Sequence, residues 1–237
     1  MNPVKKQARI AGLLYALVAL MGPLSLVYIP SKLFVHGDVI GTADRLLASA
    51  PLVHWGIASE LLYQSVEVFL VLVLYALFEP VNKTLARQMA VLGFMSIPIV
   101  LLSVINEVAA LTLVSGSPFL AAFGKQQLAA MATLLLIMHG DGLQVAAIFW
   151  GLWLFPFGLL IIQCGFIPRA LGVLVMIAGV GYLLGSIASL ALGPAHAGPL
   201  GSISGMLEIG EPPIILWLLF WGAKTGPSDS KLASIGT

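Results

Sequence analysis

The chain has 237 residues, 59% of them hydrophobic and 9% charged, with a formal net charge of +1. Soluble domains carry about 25% charged residues, so this composition excludes an ordinary water-exposed surface. The near-zero charge removes the electrostatic case for nucleic acid as a partner. One cysteine, Cys164, excludes an internal disulfide.

The N-terminus pairs Lys5, Lys6 and Arg9 with an apolar run over Ile10–Ile29. A signal-peptide core is about 7–15 residues long and ends at a small-residue cleavage site. This run is longer and no such site is evident, so a retained first transmembrane helix is expected. A helix needs about 20 mostly apolar residues to cross the hydrocarbon core. Six segments qualify: 10–29, 53–78, 89–114, 143–163, 171–192 and 202–221. The expected fold class is therefore all-α, a polytopic transmembrane helix bundle. The chain reads as a single integral membrane domain over 1–237, with a flexible tail over 224–237 and the lipid bilayer as its surroundings.

In chain order, the loop after the first span contains GTADRLLASA, where Thr42 could cap a short helix. Pro51 is tolerated in the first turn of the second span, and Glu79-Pro80 ends it. Ser117-Pro118 marks a helix start in the next long loop. The stretch 126–163 would measure roughly 57 Å as one helix, nearly twice the core thickness. A break or sharp bend at His139-Gly140-Asp141-Gly142 is expected there. Gly165-Phe166-Ile167-Pro168 separates the fourth and fifth spans. The fifth, with Gly172, Gly181, Gly185 and Ser189, has the small residues of a close-packing helix.

Lys and Arg gather on the cytoplasmic side of membrane proteins. With the N-terminus inside, Lys5, Lys6, Arg9, Lys83, Arg87, Arg169, Lys224 and Lys231 are cytoplasmic. Lys32, Arg45 and Lys125 are then outside. An even number of spans also leaves both termini inside.

Five of the ten acids fall within spans: Glu60, Glu67, Glu107, Glu208 and Glu211. No Lys or Arg lies clearly inside one. On a helix, Glu60, Gln64 and Glu67 form one stripe, Ser103 aligns with Asn106 and Glu107, and Glu208 aligns with Glu211. Gln144 lies just inside the outer end of the fourth span. The four histidines, His36, His54, His139 and His196, are assigned to outer loops or outer helix ends. Polarity thus concentrates in the outer half of the bundle, which points to an outward-facing acidic cavity. Candidate ligand-binding residues are Glu60, Gln64, Glu67, Asn106, Glu107, Gln144, Glu208 and Glu211.

A charge at bilayer depth costs about 2.5–3.5 kcal/mol on insertion scales. Five acids therefore have to be protonated, hold a cation, or face water. Glu211-Pro212-Pro213 frees the carbonyls of Glu208 and Ile209 if one helix runs through it; otherwise it is a joint between two helices. A His/Glu metal site stays open, although no HxxxH or HExxH spacing marks it. Trp150, Trp153, Phe155 and Phe157 pack, anchor, or line a pocket for an apolar substrate.

Four stretches carry a resemblance: ARIAGLLYALVALMGPLSLVYIPSKLFVHGD, EVFLVLVLYALFEPVNKTLA, GLWLFPFGLLIIQCGFIPRALGVLVMIAG and ILWLLFWGAK. Across nearly the whole chain the sequence resembles the bacterial membrane proteins of the domain of unknown function 4386 family. That resemblance implies a six-helix bacterial inner (plasma) membrane protein, and it carries over no site. Three functions compete on the residues alone. The first is binding or transport of a proton, a metal ion or a small cationic solute. The second is an intramembrane enzyme using a protonated Glu as general acid on a lipophilic, isoprenoid-like substrate. The third is a structural or partner-binding membrane protein whose acids specify helix packing.

Overall fold

A computed structural model describes residues 3–192 and 194–223, with side chains for all of these except 194–197. The expected tail over 224–237 and the side chain of His196 lie outside the described residues. Nine α-helices and no strands occur among those residues. They are α1 (Pro3–Pro23), α2 (Ile29–Leu33), α3 (Val39–Ala48), α4 (Ala50–Phe78), α5 (Lys83–Val114), α6 (Lys125–Cys164), α7 (Arg169–Ile187), α8 (Pro194–Glu208) and α9 (Pro212–Phe220). π turns at Leu24–Tyr28 and Ala188–Leu192 extend α1 and α7, each close to a proline that cannot donate an N–H. Among the described residues, six helical segments are long and apolar enough to cross a membrane: Pro3–Leu33, Ala50–Phe78, Lys83–Val114, Lys125–Cys164, Arg169–Leu192 and Gly198–Phe220. The chain is a multi-pass membrane protein, and its described residues form helices and the turns that join them.

Helix ends follow their local chemistry. The α4–α5 turn begins at Glu79-Pro80, and Asn82 caps α5 by accepting from the Leu85 N–H at 3.1 Å. Gly165, at φ +72°, ends α6 in a conformation few other residues adopt. The α3 cap is Asp38 and not Thr42. The Asp38 carboxylate accepts from the Gly41 N–H at 2.8 Å, whereas Thr42 lies a turn inside and donates to the Asp38 carbonyl at 2.9 Å. Ser117-Pro118 opens only a short 3₁₀ turn, Pro118–Leu120, and the helix itself starts at Lys125.

Helix α6 corrects the expected break. It runs unbroken through His139–Gly142 for 40 residues, roughly 60 Å at 1.5 Å per residue. Two glycines cost a helix only about 1 kcal/mol each, which its flanking apolar residues outweigh. The second joint resolves the other way: α8 stops at Glu208 and α9 starts at Pro212. The Glu208 carbonyl is not freed, because it accepts from the Glu211 N–H at 3.0 Å.

The helices form two compact units. One comprises Leu17–Val66 and Ser96–Ala146. Its apolar core joins Ile29, Leu33, Leu46, Val53, Ala110 and Leu136. The other comprises the chain up to Ala16, Glu67–Met95, and the chain from Ala147 onward. There α6 and α7 meet at paired glycines. A Cβ on Gly151 would stand 2.8 Å from the Gly179 carbonyl oxygen, and a Cβ on Gly158 2.6 Å from that of Gly172. The seven-residue spacing on both helices puts each pair two turns from the next. Gly181 gives α8 the same approach, at 2.9 Å from the Ser204 carbonyl oxygen. Trp153 stacks on Phe157 at 5.5 Å, and Phe157 meets Phe78 edge-on at 5.7 Å, so both aromatics pack in the interior of this unit.

Candidate functional site

Within the unit of Leu17–Val66 and Ser96–Ala146, α4, α5 and α6 each contribute one titratable side chain to a common point. These are Glu60, Glu107 and His139, with 0%, 4% and 3% of their surface exposed. His139 Nε2 lies 3.4 Å from Glu60 Oε1 and 3.7 Å from Glu107 Oε1. One ligand atom from each of the three residues falls within 4.8 Å of both others.

The local sequence explains the convergence. Glu107 lies one turn after Ser103 on α5, and Gly142 lies three residues after His139 on α6. A Cβ on Gly142 would collide with the Ser103 hydroxyl and stand 3.0 Å from its Cβ. The missing side chain lets α6 press on α5 at Ser103, and His139 Nδ1 then reaches the Ser103 carbonyl oxygen at 3.1 Å. A carbonyl only accepts, so Nδ1 carries the hydrogen and donates it. The remaining nitrogen, Nε2, faces the two carboxylates.

That arrangement leaves acceptors facing acceptors. Among the described residues, both oxygens of Glu60, Oε2 of Glu107 and Nε2 of His139 have no hydrogen-bond partner. The 3.4 and 3.7 Å approaches are too long or too poorly aligned to supply one. Gln64, one turn along α4 from Glu60, is wholly buried, with both amide atoms unpartnered among the described residues. Buried polar groups are normally paired, and an uncompensated buried carboxylate is costly. A cation at the common point, a proton or a metal ion, would satisfy the group, and Glu60, Glu107 and His139 are the residues that could hold it.

The other unit holds a different acidic group. Glu211, at the α8–α9 joint, accepts from the Tyr15 hydroxyl through Oε1 and from the Tyr182 hydroxyl through Oε2, the latter at 2.8 Å. Glu208 accepts from the Ser204 hydroxyl at 2.7 Å. Glu67 is buried at 5% exposure and belongs to this unit. Of the sequence-predicted residues, the structure therefore brings Glu60 and Glu107 together and sets Gln64 a turn away. Glu67, Glu208 and Glu211 fall in the second unit. Asn106 and Gln144 are half-buried and, among the described residues, hydrogen-bond to neither group.

His139 is the member of this group that the sequence-predicted ligand-binding set left out, and its assignment to a loop or helix end is corrected. It lies inside α6, some 21 Å along from Lys125. The signal available was its spacing from Gly142, which marks a close approach by α6, and the absence of Pro from His139 to Gln144. A cavity of about 320 Å³ lies elsewhere in the same unit, lined by Ala43, Leu47, Leu113, Leu120, Phe123 and Leu128. Its lining is mostly apolar, with Asp44 and Lys125 at one side, and includes none of the predicted ligand-binding residues.

The family model described as "Domain of unknown function (DUF4386)" matches residues 10–222. Neither the curated proteins nor the solved structures contain a match to the chain.

Proposed function

We propose, from the premise that the chain belongs to the DUF4386 family, that it binds a cation within the membrane and moves it across. The cation is a proton, a metal ion or a small cationic solute. The single observation that carries this reading is the convergence of two carboxylates on an imidazole nitrogen with unpartnered acceptors on all three. Ionisable groups at membrane depth are costly and mark ion pathways. Glu60, Glu107 and His139 would hold the cation, with Gln64 beside them, while Asn106 and Gln144 would line the approach. Glu67, Glu208 and Glu211 would form a second polar station at the broken helix, a feature shared with many transporter sites.

The same reading places the protein in a bacterial inner membrane as one integral domain, with both termini cytoplasmic and the site reached from outside. The positive-inside count supports that orientation. Thermal unfolding in detergent, scanned over pH, divalent metals and tetraalkylammonium ions, tests binding. Proteoliposome flux tests transport. At least one cation is expected to raise the unfolding temperature, and Glu60→Gln and Glu107→Gln to abolish that shift and reduce flux at least tenfold. No stabilising cation, together with unchanged flux in both variants, would overturn the proposal.

A further inference from the structure

We infer that Glu60, Glu107 and His139 form a tetrahedral site for a divalent transition metal of the zinc class. The inference rests on the cation-binding reading and narrows it to one chemistry.

Three independent features point to a metal. The first is spacing. Zinc bonds to imidazole nitrogen and carboxylate oxygen are about 2.0–2.2 Å long, which sets neighbouring ligands in a tetrahedron roughly 3.3–3.6 Å apart. The His139–Glu60 and His139–Glu107 separations are 3.4 and 3.7 Å. The third edge is within 4.8 Å, and carboxylate rotation closes it. Octahedral ligands at such bond lengths would stand nearer about 3.0 Å.

The second feature is the imidazole's support. Metal-bound histidines almost always donate their other ring N–H to a carbonyl or carboxylate, which fixes the tautomer and aims the lone pair. The Ser103 carbonyl does this for His139. The aimed nitrogen, Nε2, has no hydrogen-bond partner among the described residues.

The third is charge. With both carboxylates ionised and the imidazole neutral the group carries −2, and no Lys or Arg forms an ion pair with either Glu60 or Glu107 among the described residues. A single divalent ion closes that balance. One proton leaves a net negative charge in a buried site. Imidazole among the ligands, and only three side chains, disfavour calcium and magnesium, which take six or more oxygens. The fourth position falls to water or to the Gln64 amide oxygen.

The test uses the full chain purified in detergent and stripped with a chelator. Zn²⁺ alone is titrated, bound metal is counted per chain, and the zinc environment is read by X-ray absorption. One zinc per chain is expected, with a nitrogen and oxygen shell at about 2.0–2.1 Å and no sulfur. Glu60→Gln, Glu107→Gln and His139→Gln are each expected to weaken binding at least tenfold, while Glu79→Gln leaves it unchanged. Excess Mg²⁺ or Ca²⁺ should not compete. Where a variant does not fold, the wild-type shell decides, since a shell with sulfur or with two imidazoles would sink the assignment.

Failure to bind zinc, or equal binding by all three site variants, would also sink it. If zinc does not bind but Glu60 and Glu107 still govern proton flux, only the metal assignment falls. If neither residue affects any cation, the broader reading falls with it.

Discussion

Glu211 shows how this chain holds a carboxylate without a base. Two phenols from α1 and α7 each donate to one of its oxygens, at the joint between α8 and α9. Removing one donor leaves a poorly solvated carboxylate oxygen without its partner, at a cost of about 1–3 kcal/mol. Tyr182→Phe is therefore expected to lower thermal stability in detergent by that amount, and Tyr15→Phe/Tyr182→Phe by more than either change alone. Glu79 shows the exposed counterpart. The Lys83 ammonium at 2.8 Å, with the Tyr75 hydroxyl at 3.0 Å, holds its carboxyl below the usual carboxylate range. A lowered folded-state pKa supplies stability above the unfolded-state value, which is lost as pH falls through the folded value. The stability difference between wild type and Glu79→Gln should be small at neutral pH and should vanish in acid, below the usual Glu range near about 4.3. The acids themselves were legible as residues from sequence, because a carboxylate in an apolar run stands out. Their partners were not, since Tyr15 and Tyr182 are unremarkable in apolar helices and lie far from Glu211 in the chain.

Glycine placement decides what the elements can do. On α6, Gly140 faces open space, whereas Gly142 faces Ser103. Alanine at 140 is expected to be neutral or to stabilise by up to about 1 kcal/mol through helix propensity. Alanine at 142 is expected to destabilise by about 1–3 kcal/mol and to weaken cation binding, because α6 has to move off α5. Ser103→Gly in the same chain should restore much of the loss, which a general weakening of α6 would not allow. A matching contrast exists in the other unit, where Gly158→Val drives a side chain into the Gly172 backbone. The small-residue character of α7 was readable from Gly172, Gly181 and Gly185. Which partner each glycine admits was not, because pairing depends on the rotation of two helices about their axes. The same four residues, His139 to Gly142, read as a break in sequence and are continuous helix in the structure. Local propensity costs a few kcal/mol at most, and packing of one face on α5 overrides it.

At the scale of the molecule, six apolar helical segments make a multi-pass protein, and the loop charges set the expected orientation. Single cysteines in a Cys164→Ala background test it. With both termini inside, a cysteine at Lys32 or Gly116 should react with an impermeant maleimide in intact cells. One at Asn82 or Gly165 should react only after permeabilisation. The reverse pattern would invert the topology and put the approach to Glu60 on the cytoplasmic side.

By itself the sequence determined the helical class, the number of spans, the family and the presence of acids within apolar spans that hold no Lys or Arg. Each of these follows from composition and from short-range periodicity, which act over a few turns of one helix. Only the tertiary structure decided that Glu60 and Glu107 share His139 while Glu211 takes two tyrosines. Those associations join residues dozens to nearly two hundred positions apart. They depend on which faces of separate helices meet, and in an almost uniformly apolar chain that is set by close packing at a few glycines rather than by hydrophobic pattern.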